Sequence, residues 1–206
     1  GRRFAIRGTH IGGPTLPGRV TLWLDAGIAF GSGEHGSTRG CLRALERVAH
    51  RRPTRILDLG TGSGCLLLSL LAELPAAKGI GLDISAAALQ IARRNAARMG
   101  LADRVQWLEG DMADPPSGPF ELVISNPPYI PTGELAALEP EVQLHDPLQA
   151  LDGGQDGLNF YRKLIGLGEL LSPDGWTIVE LGAGQFETVQ GLIRERHGSM
   201  AIDVRP

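Results

Sequence analysis

The chain has 206 residues, a hydrophobic fraction of 42% and a formal charge of −3, so it can bury a substantial core and gives no reason to expect an extended nucleic-acid-binding surface. Its two cysteines, Cys41 and Cys65, lack metal-ligand spacing, which predicts free thiols in a reducing compartment. No apolar run reaches membrane-spanning length and the opening GRRFAIRG has no apolar signal-peptide core, so the expectation is a soluble, cytoplasmic enzyme domain without a membrane partner.

Two short alternating apolar segments, residues 4–7 and 20–24, flank a Gly- and Pro-rich loop and predict a hairpin or flap outside the main sheet. The stretch 29–39, AFGSGEHGSTR, is denser in glycine and small polar residues than a connector needs. Ser37 or Thr38 can cap the following helix, whose Leu42, Leu45 and Val48 recur at helical spacing up to Pro53. That placement suits either a cofactor lid or a helix with an elaborate cap. His35 has no partner histidine or cysteine pattern and is no metal site.

Residues 54–64, TRILDLGTGSG, predict a buried strand at 55–59, a glycine-rich turn and a helix over 66–74. Glycines let the chain turn sharply and approach a ligand, and the helix start offers free N–H groups to an anion. The fingerprint alone serves dinucleotide binders and S-adenosylmethionine (SAM) enzymes alike, or is simply a tight turn. The next strand, 78–82, ends in Asp83, which places a carboxylate where both ribose hydroxyls of a nucleoside can be held. An amphipathic helix over 85–99 stops at Gly100, and a third strand, 105–108, leads to Asp111 and Met112. These two fall where an adenine edge and face would be met. Alternatively, Asp111 caps a turn and Met112 fills core.

The fourth strand, 121–125, delivers Asn126, Pro127, Pro128 and Tyr129. Two prolines fix the loop and leave the Asn126 side-chain oxygen and the Pro127 carbonyl as acceptors for an NH₂ group, with Tyr129 as a flat stacking face. A rigid turn that packs a tyrosine on the core is the bland alternative. Beyond lie a turn-rich loop at 151–157, a helix over 158–171, a turn at 173–175, a strand at 176–181 and a last helix over 186–196. Glu180 either pairs near the cofactor edge or faces solvent. No catalytic triad or metal-ligand cluster is evident.

DLGTGSG, Asp83, the EGD at 109–111, NPPYI at 126–130, Glu141, DPLQALDGGQDGLNFYR and WTIVELG together resemble the bacterial protein-(glutamine-N5) methyltransferases of peptide chain release factors over about residues 54–205. Residues 2–46, with AGIAFGSGEHGSTRGCLRALE, instead resemble the region preceding the cofactor fold in the ribosomal protein L11 methyltransferases, with Ser32 in place of the usual threonine. The junction falls near residues 51–54. This mosaic suggests a recombined or engineered chimera, without the helical domain and the final antiparallel strand of the release-factor enzymes.

The resemblance implies a Rossmann-like class I SAM-dependent methyltransferase, an α/β fold whose mostly parallel sheet runs in the order 3-2-1-4-5. It implies a front unit of residues 1–50 (flap, FGSG loop and first helix) and a SAM-binding catalytic unit of residues 51–206. SAM, with S-adenosylhomocysteine as product, would be held by Phe30, Gly31 and Thr38 of the front loop and by Asp58, Gly60, Thr61, Gly62 and Gly64 of the glycine turn. Asp83, Ile84, Asp111, Met112 and Asn126 would complete that site, and Asn126, Pro127 and Tyr129 would be catalytic. The implied reaction methylates a glutamine amide of a release factor, by a monomeric enzyme with no stable nucleic-acid partner. The alternatives are a nucleic-acid base amino methyltransferase, an L11 methyltransferase, and a chimera that binds SAM without efficient catalysis.

Overall fold

The computed structural model describes residues 4–8, 20–24, 45, 46, 48–139, 142, 147–198 and 202. The expectations for the lid loop with Phe30, Gly31 and Thr38, and for Cys41, Leu42 and Glu141, lie outside the described residues. Five strands form one sheet: β3 (Arg55–Leu59), β4 (Lys78–Asp83), β5 (Val105–Glu109), β6 (Phe120–Ser125) and β7 (Leu171–Val179). Their spatial order is β5-β4-β3-β6-β7 and every pairing is parallel, which is the predicted 3-2-1-4-5 arrangement with residues 121–125 beside 55–59. Because all strands run the same way, their carboxyl ends share one edge.

Both faces of the central strands are apolar, as parallel strands covered on two sides require. Ile56, Leu122 and Ile124 face one buried cluster with Leu67, Leu70 and Leu71 of α1 (Cys65–Glu73). Leu57, Leu59 and Val123 face the other, with Leu82, Met112 and Phe120. Leu45 and Val48, helical as expected, join the first cluster. Helix α1 is buried at nearly every position from Cys65 to Leu71, and its one polar residue there, Ser69, donates to the Cys65 carbonyl (2.6 Å). Leucine on all sides suits a helix sandwiched between layers. Helix α2 (Ala86–Arg98) begins at Ser85, whose hydroxyl accepts the Ala88 N–H (3.2 Å), and gives way at Gly100 to a left-handed residue (φ +67°).

Three expectations are corrected. Strands β1 (Phe4–Gly8) and β2 (Val20–Leu24) do lie outside the main sheet, yet they pair in parallel, so they are no hairpin. The helix expected over 158–171 ends early: α3 spans Asn159–Ile165, Gly166 follows, and a separate 3-10 turn covers Gly168–Leu170. The last strand starts five residues before Trp176. Phe120 pairs with Leu171 and Leu122 with Trp176, so residues 172–175 bulge outward within β7 instead of forming a turn before it. Pro173 lacks the N–H that continuous pairing would use, which favours the bulge there. Helix α4 (Phe186–His197) is the last helix among the described residues, over the predicted span of 186–196 and one residue more.

Candidate active site

The carboxyl edge collects the loops after β3, β4, β5 and β6. After β3 the chain turns through Gly60, Gly62 and Gly64, all at positive φ (70°, 56° and 79°), a conformation open to glycine and costly for other residues. The N–H groups of Gly60 and Thr61 donate to the Leu82 carbonyl (2.9 and 3.0 Å), which pins the turn to the end of β4. Gly64 is small for a second reason. A Cβ there would fall 2.9 Å from the Trp107 ring, which lies beneath the start of α1.

Two carboxylates frame this turn. Asp58, in the middle of the sheet, is 1% exposed. Its Oδ2 accepts the Thr61 hydroxyl (2.7 Å), while Oδ1 is buried with no hydrogen-bond partner among the described residues. Burial above all, with the nearby Asp83 charge adding to it, pushes the Asp58 carboxyl up to about 7, against the Thr61 hydrogen bond. Asp83 is half-buried and already engaged: Oδ2 accepts the Gly62 N–H (2.7 Å) and Oδ1 the Ser85 N–H (2.9 Å). The next side chain, Ile84, is 62% exposed, unusual for isoleucine at a strand end.

After β5, the exposed Asp111 accepts the Ala113 N–H (2.8 Å) and meets Lys163 of α3 (3.2 Å). These contacts, the backbone N–H first, hold its carboxyl below the usual range. Met112 is buried in the second core cluster and its Cε reaches toward Gly60, 3.5 Å from where a Cβ there would stand.

After β6, the Ser125 hydroxyl donates to the Leu59 carbonyl (2.8 Å) and ties the strand end to β3 beside the glycine turn. Asn126 is half-buried, Pro127 and Pro128 are buried, and Tyr129 is half-buried, packing on a small cluster of Leu158, Tyr161 and Val189. The Tyr129 hydroxyl lies 3.4 Å from Glu180 Oε1, so Glu180 is turned toward this loop. The exit of the loop pairs with the 151–157 turn: the Ile130 N–H donates to the Leu151 carbonyl (3.0 Å) and the Gly153 N–H to the Ile130 carbonyl (2.8 Å).

The structure thus brings Asp58, Gly60, Thr61, Gly62, Gly64, Asp83, Ile84, Met112 and Asn126 to one edge, with Asp111 at its outer end. Sequence reasoning missed Ser125, Lys163 and Gln185, which touch that edge through hydrogen bonds. For Gln185 a signal existed, in the glycines of LGAGQ just after β7.

Comparison with known proteins places this geometry. Residues 1–142 match the family model described as ribosomal protein L11 methyltransferase (PrmA), continuing past the front segment and through the first four strands of the sheet. The release factor glutamine methyltransferase of Rhodospirillum rubrum is 54% identical over 140 residues, 68% of this chain and 43% of that protein. That of Geobacter sulfurreducens is 48% identical over 151 residues, 72% of this chain and 52% of that protein. The chain therefore spans about half the length of the curated relatives it matches. Among solved structures, the L11 methylase of Lactobacillus delbrueckii subsp. bulgaricus superimposes with a TM-score of 0.68 at 23% identity, covering 95% of this chain and 86% of that one. That likeness is one of fold, and the matched family model supplies the membership: the chain belongs to the ribosomal protein L11 methyltransferase (PrmA) family, with the class I SAM-dependent methyltransferase fold.

Proposed function

We propose that the chain transfers a methyl group from SAM to the side-chain amide nitrogen of a glutamine in a protein, a peptide chain release factor being the substrate. The observation that carries this reading is the rigid Asn126–Tyr129 loop, set at the end of β6 and joined through Ser125 to the strand that bears the glycine turn. The high identity to release factor glutamine methyltransferases favours glutamine over an L11 amine as the acceptor.

The residues present fit SAM. The unpaired, buried Oδ1 of Asp58 suits an ammonium group, Gly60 leaves its backbone bare of a side chain beside Met112, Asp83 retains free lone pairs for ribose hydroxyls, and the exposed Ile84 offers an apolar cover for a base. When bound, SAM supplies an electrophilic methyl on a sulfonium with a good leaving group. The protein's part is placement. An amide nitrogen is a weak nucleophile because its lone pair is delocalised. The Asn126 side-chain oxygen and the Pro127 carbonyl accept its two hydrogens, orient the lone pair and put partial negative charge where positive charge grows. Tyr129, held by its packing and by Glu180, lies against the amide plane.

Incubation of the purified chain with methyl-labelled SAM and, separately, a release factor, ribosomal protein L11 and duplex DNA, followed by mass mapping of the label, tests the reading. Label on a release-factor glutamine is expected. Label on L11 amines or on a base amino group would replace it.

A further inference from the structure

One side chain outside the residues already assigned bridges three segments around the Asn126–Tyr129 loop. Gln185 stands at the start of α4. Its Nε2 donates to the Tyr129 carbonyl (2.8 Å) and approaches the Gly157 carbonyl (3.4 Å), while Oε1 accepts the Gly182 N–H (3.0 Å). Two carbonyls face the nitrogen and one N–H faces the oxygen, so the amide has a single consistent orientation. The space is built for this group. A Cβ on Gly157 would come within 2.7 Å of Nε2, and one on Gly182 within 2.6 Å of Oε1. The carboxamide thus fills a slot walled by two glycines and joins the exit of the proline loop, the 151–157 turn and the segment after β7.

We infer that Gln185 is a positioning residue for methyl transfer, its carboxamide holding the Tyr129 carbonyl, and with it the loop that carries Asn126 and Pro127, at the height the acceptor nitrogen requires. This rests on the glutamine-methylation reading above, but its mechanical half does not. The two prolines stiffen the loop internally; they do not fix its tilt against the sheet. Below it, Ser125 secures the strand end; above it, Ile130 pairs with Leu151 and Gly153. Gln185 is the side chain that ties the Tyr129 carbonyl, between those two anchors, to the last strand and helix. The chemistry calls for a donor pointing at two carbonyls. Glutamate of the same shape would aim an oxygen at them, and leucine would leave them without that donor.

The test uses the full chain with Gln185→Leu and Gln185→Glu, both checked for unchanged cofactor affinity by calorimetry with S-adenosylhomocysteine. Hydrogen exchange of the Ile130 and Gly153 amides is expected to quicken by about tenfold or more in both variants, with β3 and β4 amides unchanged. Methyl transfer to the release factor should lose about tenfold or more in kcat, with KM for SAM within about twofold. In Gln185→Glu the ratio of turnover to wild type should rise as the pH is lowered from about 8 to about 6, because protonation restores a donor. Glu180, which faces the same loop through Tyr129, is common to wild type and variant, and the pH series is therefore read as a ratio of the two. Unchanged exchange at Ile130 and Gly153 overturns the strut whatever the substrate proves to be. A loosened loop with unchanged kcat overturns the positioning role. Wild-type chain that loads SAM but labels no glutamine overturns the substrate reading alone, and the exchange result still decides the strut.

Discussion

Asp58 concentrates the electrostatic stress of the site. Its carboxyl is raised from an ordinary 3.8 to about 7, chiefly by burial, so between those values the native state holds a proton that the unfolded chain has released. Stability from this group is therefore highest at the acid end of the window and falls as pH rises toward 7, by something on the order of a few kcal/mol, levelling above. Asp58→Asn should flatten that slope, measured by urea denaturation at a series of pH values; a slope unchanged in the variant would assign it to other groups. An ammonium drawn to Oδ1 reverses the stress, so cofactor binding near pH 7 should release protons, read by calorimetry in two buffers of different ionisation enthalpy, and Asp58→Asn should abolish the release. At Asn126 the expected effect is kinetic. On the proposed mechanism, Asn126→Ala removes an acceptor used mainly in the transition state and should lower kcat by roughly a hundredfold while leaving SAM affinity nearly intact, separable by steady-state kinetics and calorimetry. Asp83→Ala should do the reverse. It frees the Gly62 and Ser85 N–H groups and should weaken SAM binding by about tenfold or more, since a charge-assisted hydrogen bond is worth roughly 1.5–3 kcal/mol.

Among the elements, what was legible in the sequence followed from periodicity and caps, and what was not followed from packing between distant segments. The strand at 55–59, the helix start at Ser85 and the stop at Gly100 each carry a local cause. The parallel pairing of β1 with β2 has none, because alternation marks a strand without saying which way its neighbour runs. The helix after the 151–157 turn broke sooner than its apolar spacing suggests, at a glycine whose role in the sequence is ambiguous between packing and termination. The glycines of β4 illustrate a cause visible only in three dimensions. A Cβ on Gly81 would fall 2.5 Å from Trp107 Cε3, and one on Gly79 equally close to Leu67 Cδ1. These positions let α1 and the Trp107 indole settle directly on the sheet. Gly81→Ala should consequently destabilise the fold by about 1–3 kcal/mol through overpacking, measured as a shift of the denaturation midpoint; a neutral result would mean the indole moves aside freely.

For the whole molecule, the alternation of buried strands and amphipathic helices pointed to a doubly wound sheet, and the family resemblance supplied the strand order that the structure shows. The placement of the site at the carboxyl edge followed from that order. The partners of the proline loop did not, because Tyr129 meets its supports at Glu180 and Gln185, far along the chain. That separation has a consequence for biosynthesis. The glycine turn and Asp83 belong to consecutive strands that pair with each other, whereas the proline loop stays without this bracing until β7 and the start of α4 have been translated. A nascent chain can thus pair the strands that carry the glycine turn before it braces the proline loop, so the two halves of the proposed site come together in the order of synthesis.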